Sequence, residues 1–499
     1  MVVFWNEGVA ETNAGLDILG VRGADQSHEA RLTGGITTIS ARARYLSLLP
    51  WFLDEWYRRA LEGGRARHDE DAQAAALRRL EKVVLLATVV GKDLGETGDI
   101  RGVLGSDLWA EDIAEVERGG SIDLTATKGG ASLGTYVQPC IQLRLLLDSA
   151  PLGVPAAGRE LADARREALR GTPIVDSIFR GGTIDRATAV AVAPHFSING
   201  LLAPESARER DALAGFVTVA STASLGLGAT VRWALAAAAE QPVAPATLIA
   251  ESFRLATVAG SSIAGPALAY AQYDLLRRVH FALELCLQAI SAELYEAGPR
   301  DVRSIARRFG RTPLQVLVDL AIATNAASLG DRTLGDFAAD LNGQTLVERP
   351  IVNEARRSFP QSSQAAYALA LLVAAVDAAR VNAELTPRED GVARRAMAIV
   401  EGAQTRGAQD VLQDVLAFVV ERHLFTTFRK MAAGQPCSLR FVSDGRRLQR
   451  TDQGTRAGMS GHRLTNVMVI LSDLGFLTRS ADGFSLTERG RALLNKAAS

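Results

Sequence analysis

The stretch Leu464 to Leu494, LTNVMVILSDLGFLTRSADGFSLTERGRALL, is the most structurally explicit part of this chain. Leu464, Val467, Met468, Leu471 and Leu474 fall at i, i+3, i+4, i+7 and i+10, which is one apolar stripe of an α-helix, and Gly475 stands at its C-cap. Phe476 to Thr478 and Phe484 to Leu486 are short β-prone runs around Ala481-Asp482-Gly483, a pattern that predicts a tight hairpin. Thr487 can then cap a last helix over Glu488 to Lys496, with Glu488 well placed against the positive end of its dipole.

The order helix, LSDLGFL, hairpin, FSLTERGRALL resembles the second half of MarR-like and ArsR-like winged-helix domains over roughly 35 residues. The resemblance implies that Gly461 to Leu474 is a recognition helix. Opposite its apolar stripe lie His462, Thr465, Asn466, Val469 and Asp473, with Arg463 on the flank. A helix that reads a groove offers Arg, Lys, Asn or Gln to bases and phosphates. Arg463 and Asn466 fit that role, whereas Val469 and Asp473 fit a protein-docking face equally well.

Upstream, Arg446, Arg447, Arg450 and Arg456 extend the candidate nucleic-acid-binding set. From Lys430 to Ser499 there are 11 basic and 5 acidic residues, although the formal net charge of all 499 residues is -1. Charge is therefore segregated, and a basic surface, if there is one, is local. Val302 to Val316, VRSIARRFGRTPLQV, is a second helix-turn-helix candidate. Arg311 and Asp319 occupy positions usually apolar in that motif, so an ordinary helix pair is the better reading.

Elsewhere Ala, Leu, Arg and Glu dominate and β-branched alternation is sparse, so the expected fold is mainly α. Composition suggests three segments: a loop-rich α-helical domain over 1–150, a helical body over 151–400, and a C-terminal winged-helix domain over 401–499. In the first, Ile39 to Arg59 reads as a buried helix, because Leu46, Leu48, Leu49, Trp51, Phe52, Leu53, Trp56 and Tyr57 leave almost no polar face; Pro50 should kink it. Arg65 to Asp71 reads as an exposed charged connection into a helix over Ala72 to Val90. In the second, Ala267 to Leu294 reads as an interior helix whose His280 is a satisfied core residue. Just before the buried helix, Thr37, Thr38, Arg42 and Arg44 combine hydroxyls and guanidiniums at a helix start, a candidate anion-binding group. The alternative is that Arg42 and Arg44 pair with acidic residues to anchor the helix.

Known catalytic patterns are scarce. Of the five lysines, Lys82, Lys92, Lys128, Lys430 and Lys496, none sits in a phosphate-binding Gly-x4-Gly-Lys context, and none follows Asp or Glu by two positions as in restriction-type nucleases. Six scattered histidines show no metal-ligand spacing, and Gly226 to Val231 lacks the third glycine of a dinucleotide fingerprint. Gly130-Ala-Ser132-Leu-Gly134 matches a nucleophile elbow by letter, but no buried strand feeds it. Cys140, Cys286 and Cys437 are far apart, which fits a reducing cytoplasm; no signal peptide opens the chain, and the apolar run Ala365 to Val376 is too short to span a bilayer. No cofactor, metal or membrane attachment is expected.

The stretch GLDILGVR followed by TGGITTISARARYLSLLPWFLDEWY resembles the opening of uncharacterised bacterial proteins associated with anti-phage defence loci, with weaker echoes at GVLGSDLW and GGASLGTYVQP. Gly34 stands where that motif has proline. With the missing catalytic motifs, the resemblance implies a non-catalytic subunit of a defence system that binds double-stranded DNA, a protein partner such as an ATPase or nuclease subunit, or both. The competing readings are a divergent nuclease and a transcriptional regulator.

Overall fold

The computed structural model describes residues 17–62, 69–96, 100–106, 109–125, 133–218, 225–258, 263–348 and 350–498. It is mainly helical, with three two-stranded antiparallel sheets among the described residues. The chain divides into two compact units, each built from separated segments: unit 1 holds Ala30–Pro245 and His462–Ser499, and unit 2 holds Glu11–Glu29 and Ala246–Gly461. The sequence-based boundary near 150 falls inside unit 1 and the one near 400 inside unit 2. The basic tail is shared, with six basic and two acidic residues of it in unit 2 and five and three in unit 1. Composition along the chain cannot register this, because each unit closes through contacts distant in sequence.

Unit 1 is organised by the buried helix Tyr45–Glu62, which packs on Ala156–Ala168, and by Glu70–Gly91, which packs on Arg186–Phe196. The first begins six residues later than its periodicity suggests. Thr37 and Ser40 are the reason: the Ser40 hydroxyl accepts from the Thr37 amide at 2.6 Å, and Thr37 Oγ1 accepts from the Ser40 amide at 3.1 Å, holding a loop where the helix would have started. The helix continues through Pro50. Trp51 is 1 % exposed and meets Phe179 and Phe196 edge-on, with ring centroids 6.1 and 6.0 Å away. Glu70–Gly91 starts at Asp69, whose carboxylate caps the Ala72 amide at 3.0 Å; residues 65–68 of the expected charged connection lie outside the described residues.

The C-terminal elements of unit 1 follow the expected order: helix Leu464–Asp473, strands Leu477–Ser480 and Gly483–Leu486 in register, then helix Glu488–Ala498. Leu227–Glu240 packs against this group. Three residues beyond that helix, Val243 exchanges two 3.0 Å backbone hydrogen bonds with Phe484, adding a short third edge to the hairpin.

Unit 2 is built around the helix Gly265–Ala297, 33 residues or about 50 Å long, opened by Pro266 and packed along Gln361–Val381. Gln361–Val381 is, among the described residues, the one helix long and apolar enough to cross a bilayer, and 72 % of its apolar window is buried in the protein. The long helix is not apolar all round. Tyr273, Arg277, Glu284, Gln288 and Ser291 hold the extended segment Thr455 to Gly461 along its length: Tyr273 Oη donates to the Gly461 carbonyl (3.2 Å), Arg277 Nε to Ser460 (2.8 Å), and Glu284 and Gln288 accept from the amides of Gly458 (2.9 Å) and Ala457 (2.8 Å). Ser291 Oγ meets Thr455 Oγ1 at 3.0 Å. The strap runs antiparallel to the helix, and four of the five polar groups satisfy its backbone, including the buried Ala457 amide.

His280 lies on the same helix, 3 % exposed, with Nδ1 2.6 Å from Asp25 and Nε2 2.7 Å from Asp390. Burial alone would drive its proton off, but the two carboxylates outweigh that and push the imidazole up to about 9. It is a charged core histidine.

Candidate nucleic-acid interface

The Leu464–Asp473 helix has no open face. Every residue from Leu464 to Leu474 is buried or half-buried, and the side opposite the apolar stripe is covered by the N-terminal motif. Asn466 Nδ2 donates to the Thr37 carbonyl at 2.7 Å. Asp473 accepts from Arg42 Nε (3.0 Å), Arg42 Nη2 (2.9 Å) and the Ala43 amide (2.9 Å). The same guanidinium also donates to Asn199 Oδ1 (2.7 Å) and to the carbonyls of Arg101 and Ile198 (both 3.2 Å). A cation at the C-terminal end of the helix complements the dipole there. The two stretches singled out in the sequence, far apart in the chain, are thus partners. As it sits, this helix cannot offer Asn466 or Arg463 to a groove; Arg463 is half-buried and engaged.

The candidate anion-binding group is likewise committed. Arg44 is wholly buried: Nη1 donates to the carbonyls of Pro194 (2.7 Å) and Ser197 (2.8 Å), and Nη2 to Ser206 Oγ (2.6 Å), 3.5 Å from Glu209. Glu209 also takes Arg165 Nη1 at 2.7 Å and the Ser47 hydroxyl. Burial would raise the Glu209 carboxyl, but Arg165 and Arg44 hold it below the usual range, while burial pulls Arg44 down to about 10. Arg42 and Arg44 therefore have the anchoring arrangement, with Thr37 tied into the loop and only Thr38 of the four exposed. Ser132 of the elbow-like motif lies outside the described residues.

Unit 2 presents the opposite situation. Val302–Gly310 is capped by Asp301, whose carboxylate accepts from the Ser304 amide at 2.8 Å, and it buries Ile305, Ala306 and Phe309. Arg303, Arg307 and Arg311, at i, i+4 and i+8, share the exposed face, with Arg308 beside them. This is the second helix-turn-helix candidate. Its first helix is followed only by the five-residue Gln315–Asp319, the ordinary pair that the polar Arg311 suggested.

Just before that helix, Arg300 exchanges backbone hydrogen bonds of 3.2 and 2.8 Å with Leu448, so the arginine helix starts where the hairpin Phe441–Asp444 and Arg447–Arg450 crosses it. Gly445, at φ +61°, makes the two-residue turn and puts Arg446 at its tip. Arg446 and Arg447 are exposed, as are Arg303, Arg307 and Arg311, and among the described residues none of the five side chains is in a hydrogen bond or ion pair. Arg450 lies over the ring of Tyr295, 4.2 Å from its centroid. Arg300 and Arg308 approach buried Glu293 at 3.4 and 3.3 Å. Eight arginines, numbers 300, 303, 307, 308, 311, 446, 447 and 450, thus face few carboxylates, chiefly Glu293, Glu296, Asp301 and Asp444.

Arg456 follows on the strap, one residue before Ala457, which is bonded to Gln288; Gln288 in turn donates to the Arg356 carbonyl at 2.7 Å. Burial, then the charges of Arg456 and Arg357, hold the Arg356 guanidinium below its ordinary value. The level of Gln288 is about 10 Å along the helix from Tyr295.

Sequence reasoning singled out Arg446, Arg447, Arg450 and Arg456 and read 302–316 separately, as an ordinary helix pair. The signal for its arginines was their i, i+4, i+8 spacing against buried Ile305, Ala306 and Phe309. Among the described residues no three His, Cys, Asp or Glu side chains gather as a metal-binding group. Comparison with protein-family models, curated proteins and solved structures gives no match to this chain.

Proposed function

We propose that this chain is a non-catalytic nucleic-acid-binding subunit, and that its contact surface is the arginine-rich face of unit 2. The observation that carries this is that the Arg300–Leu448 bridge joins the element bearing Arg303, Arg307 and Arg311 to the hairpin bearing Arg446 and Arg447, with all five side chains exposed and, among the described residues, in no ion pair. Unpaired guanidiniums held on rigid elements gain most by neutralising phosphates and releasing counterions. The resemblance to defence-locus proteins, in which such a subunit would pass recognition to an ATPase or nuclease partner, agrees with this role.

On the same reading, Leu227–Glu240, Val243, Leu464–Asp473, the second hairpin and the last helix form a winged-helix-like arrangement interrupted by the residues of unit 2. It is supported by the two-way Val243–Phe484 pairing, and its would-be recognition helix docks protein, namely Thr37, Arg42 and Ala43 of its own chain.

The test is duplex DNA binding by the full chain across a salt series. Arg446→Ala with Arg447→Ala should lower the slope of log affinity against log salt by about two, as should Arg307→Ala with Arg311→Ala. Asn466→Ala should leave the slope unchanged. Binding whose slope ignores both arginine pairs would overturn the proposal.

A further inference from the structure

On this same face Tyr295 is 73 % exposed, more than any other large apolar or aromatic residue among those described. It sits in the last turn of the long helix, one turn beyond Ser291, where the strap begins. Nothing packs it into the core. Its ring is instead fixed by Arg450, whose guanidinium carbon stands 4.2 Å from the centroid, and Arg450 is itself held by the last rung of the hairpin, opposite Phe441. An aromatic ring kept in water with a guanidinium over it can take a flat partner on its other face.

Resting on the proposed nucleic-acid function, we infer that Tyr295, backed by Arg450, is a stacking platform for an unpaired nucleobase. Arg300 and Arg308 flank its helix end, the hairpin tip carries Arg446 and Arg447, and Arg456 lies on the strap beyond; these positions suit the phosphates on either side of a stacked base. Bases within a duplex are already stacked on both faces and cannot use the ring. The face should therefore bind single-stranded nucleic acid, or the unpaired stretch of a junction, more tightly than a blunt duplex of the same length.

The experiment compares the full-length protein and its Tyr295→Leu and Tyr295→Phe variants on a labelled oligo-dT of about 12 nucleotides, within the usual range of single-strand sites, and on a blunt duplex of that length. Tyr295→Leu should weaken single-strand binding by about 5- to 150-fold, the range that loss of one base–aromatic stack produces. It should leave duplex affinity and the salt slope unchanged, because no phosphate contact is removed. Tyr295→Phe keeps the ring and should bind like the parent. A 2-aminopurine placed in the oligonucleotide should be quenched by the parent and by Tyr295→Phe but not by Tyr295→Leu. Equal effects of Tyr295→Leu on single strand and duplex, or none on either, would overturn the stacking inference while leaving phosphate binding intact. Failure of the parent to bind either probe at low salt would instead defeat the proposed function itself.

Discussion

Two sets of arginines in this molecule have the same side chain and opposite roles. Around Glu209 in unit 1, Arg44 and Arg165 are buried, donate to main-chain carbonyls and share one carboxylate. On unit 2, Arg303, Arg307, Arg311, Arg446 and Arg447 are exposed on a short helix, its C-cap and a hairpin tip, and among the described residues none of them is in an ion pair, although Asp444 stands opposite Arg447 in the hairpin. Residue type does not separate the two sets; the supply of local acceptors does. Where carbonyls and a carboxylate converge, a guanidinium becomes structure, and where they are missing it remains available to an outside anion.

The sharpest way to break this comparison is to remove the acceptor. Glu209→Ala leaves Arg44 and Arg165 as neighbouring buried cations without a counter-charge, and losing one partner of a buried ion pair costs about 3–5 kcal/mol. The denaturation midpoint should fall by that amount divided by an unchanged denaturant slope, and high salt should not restore it, since ions do not screen a buried site. Glu209→Gln, which keeps the shape and an acceptor oxygen, should lose less. A midpoint unmoved by Glu209→Ala would mean that the carbonyls alone neutralise the two cations, and the distinction drawn from carboxylate supply would fail.

His280 asks the same question of a different cation. Its folded value, about 9, is raised above the ordinary value of about 6.5. The imidazolium therefore adds stability that is fully present below pH 6.5 or so and is lost as pH rises through about 9, amounting to about 3 kcal/mol. His423 is the contrast. It is also buried, yet its Nδ1 donates to the Ile18 carbonyl and its Nε2 accepts from the Arg440 amide, so with no carboxylate at hand burial takes it down to about 4. Unfolding followed from pH 6 to 10 should show the loss in the parent and a flatter profile in His280→Gln. An equally steep profile in the variant would place the pH dependence elsewhere.

Much of the local structure was legible in the sequence. The apolar stripe from Leu464, Gly475, the hairpin turn at Ala481-Asp482 and the Thr487 cap lie where periodicity and turn chemistry put them, and both readings of Arg42 and Arg44 were available before any coordinates. What could not be read were partners distant along the chain. Ala267 to Leu294 looks like an interior helix by composition, and its polar residues acquire a purpose only when the backbone of Thr455 to Gly461 is laid beside them. The same holds for Arg300 and Leu448, whose pairing turns two separate basic stretches into one face, and for Asp473, which read as a docking residue before its partner, Arg42, was known. Main-chain acceptors leave no mark in a sequence, since every residue carries one.

The smallest expected effect on stability separates the two arginine sets most directly. Among the described residues Arg307→Ala and Arg311→Ala remove no ion pair and no buried contact; Arg307 is on the helix, where alanine is the better former, and Arg311 is its C-cap residue. Like charges four residues apart on a helix repel by a few tenths of a kcal/mol, so the double substitution should leave stability within about 0.5 kcal/mol of the parent and could raise it slightly at low salt. The same pair carries a large share of the predicted dependence of nucleic-acid affinity on salt. A double variant as stable as the parent and poorer in binding would show that these guanidiniums are held out of structural use. A loss above 1 kcal/mol would mean that they brace the fold through contacts with no ion pair, and the two regions would then differ in exposure only, not in role.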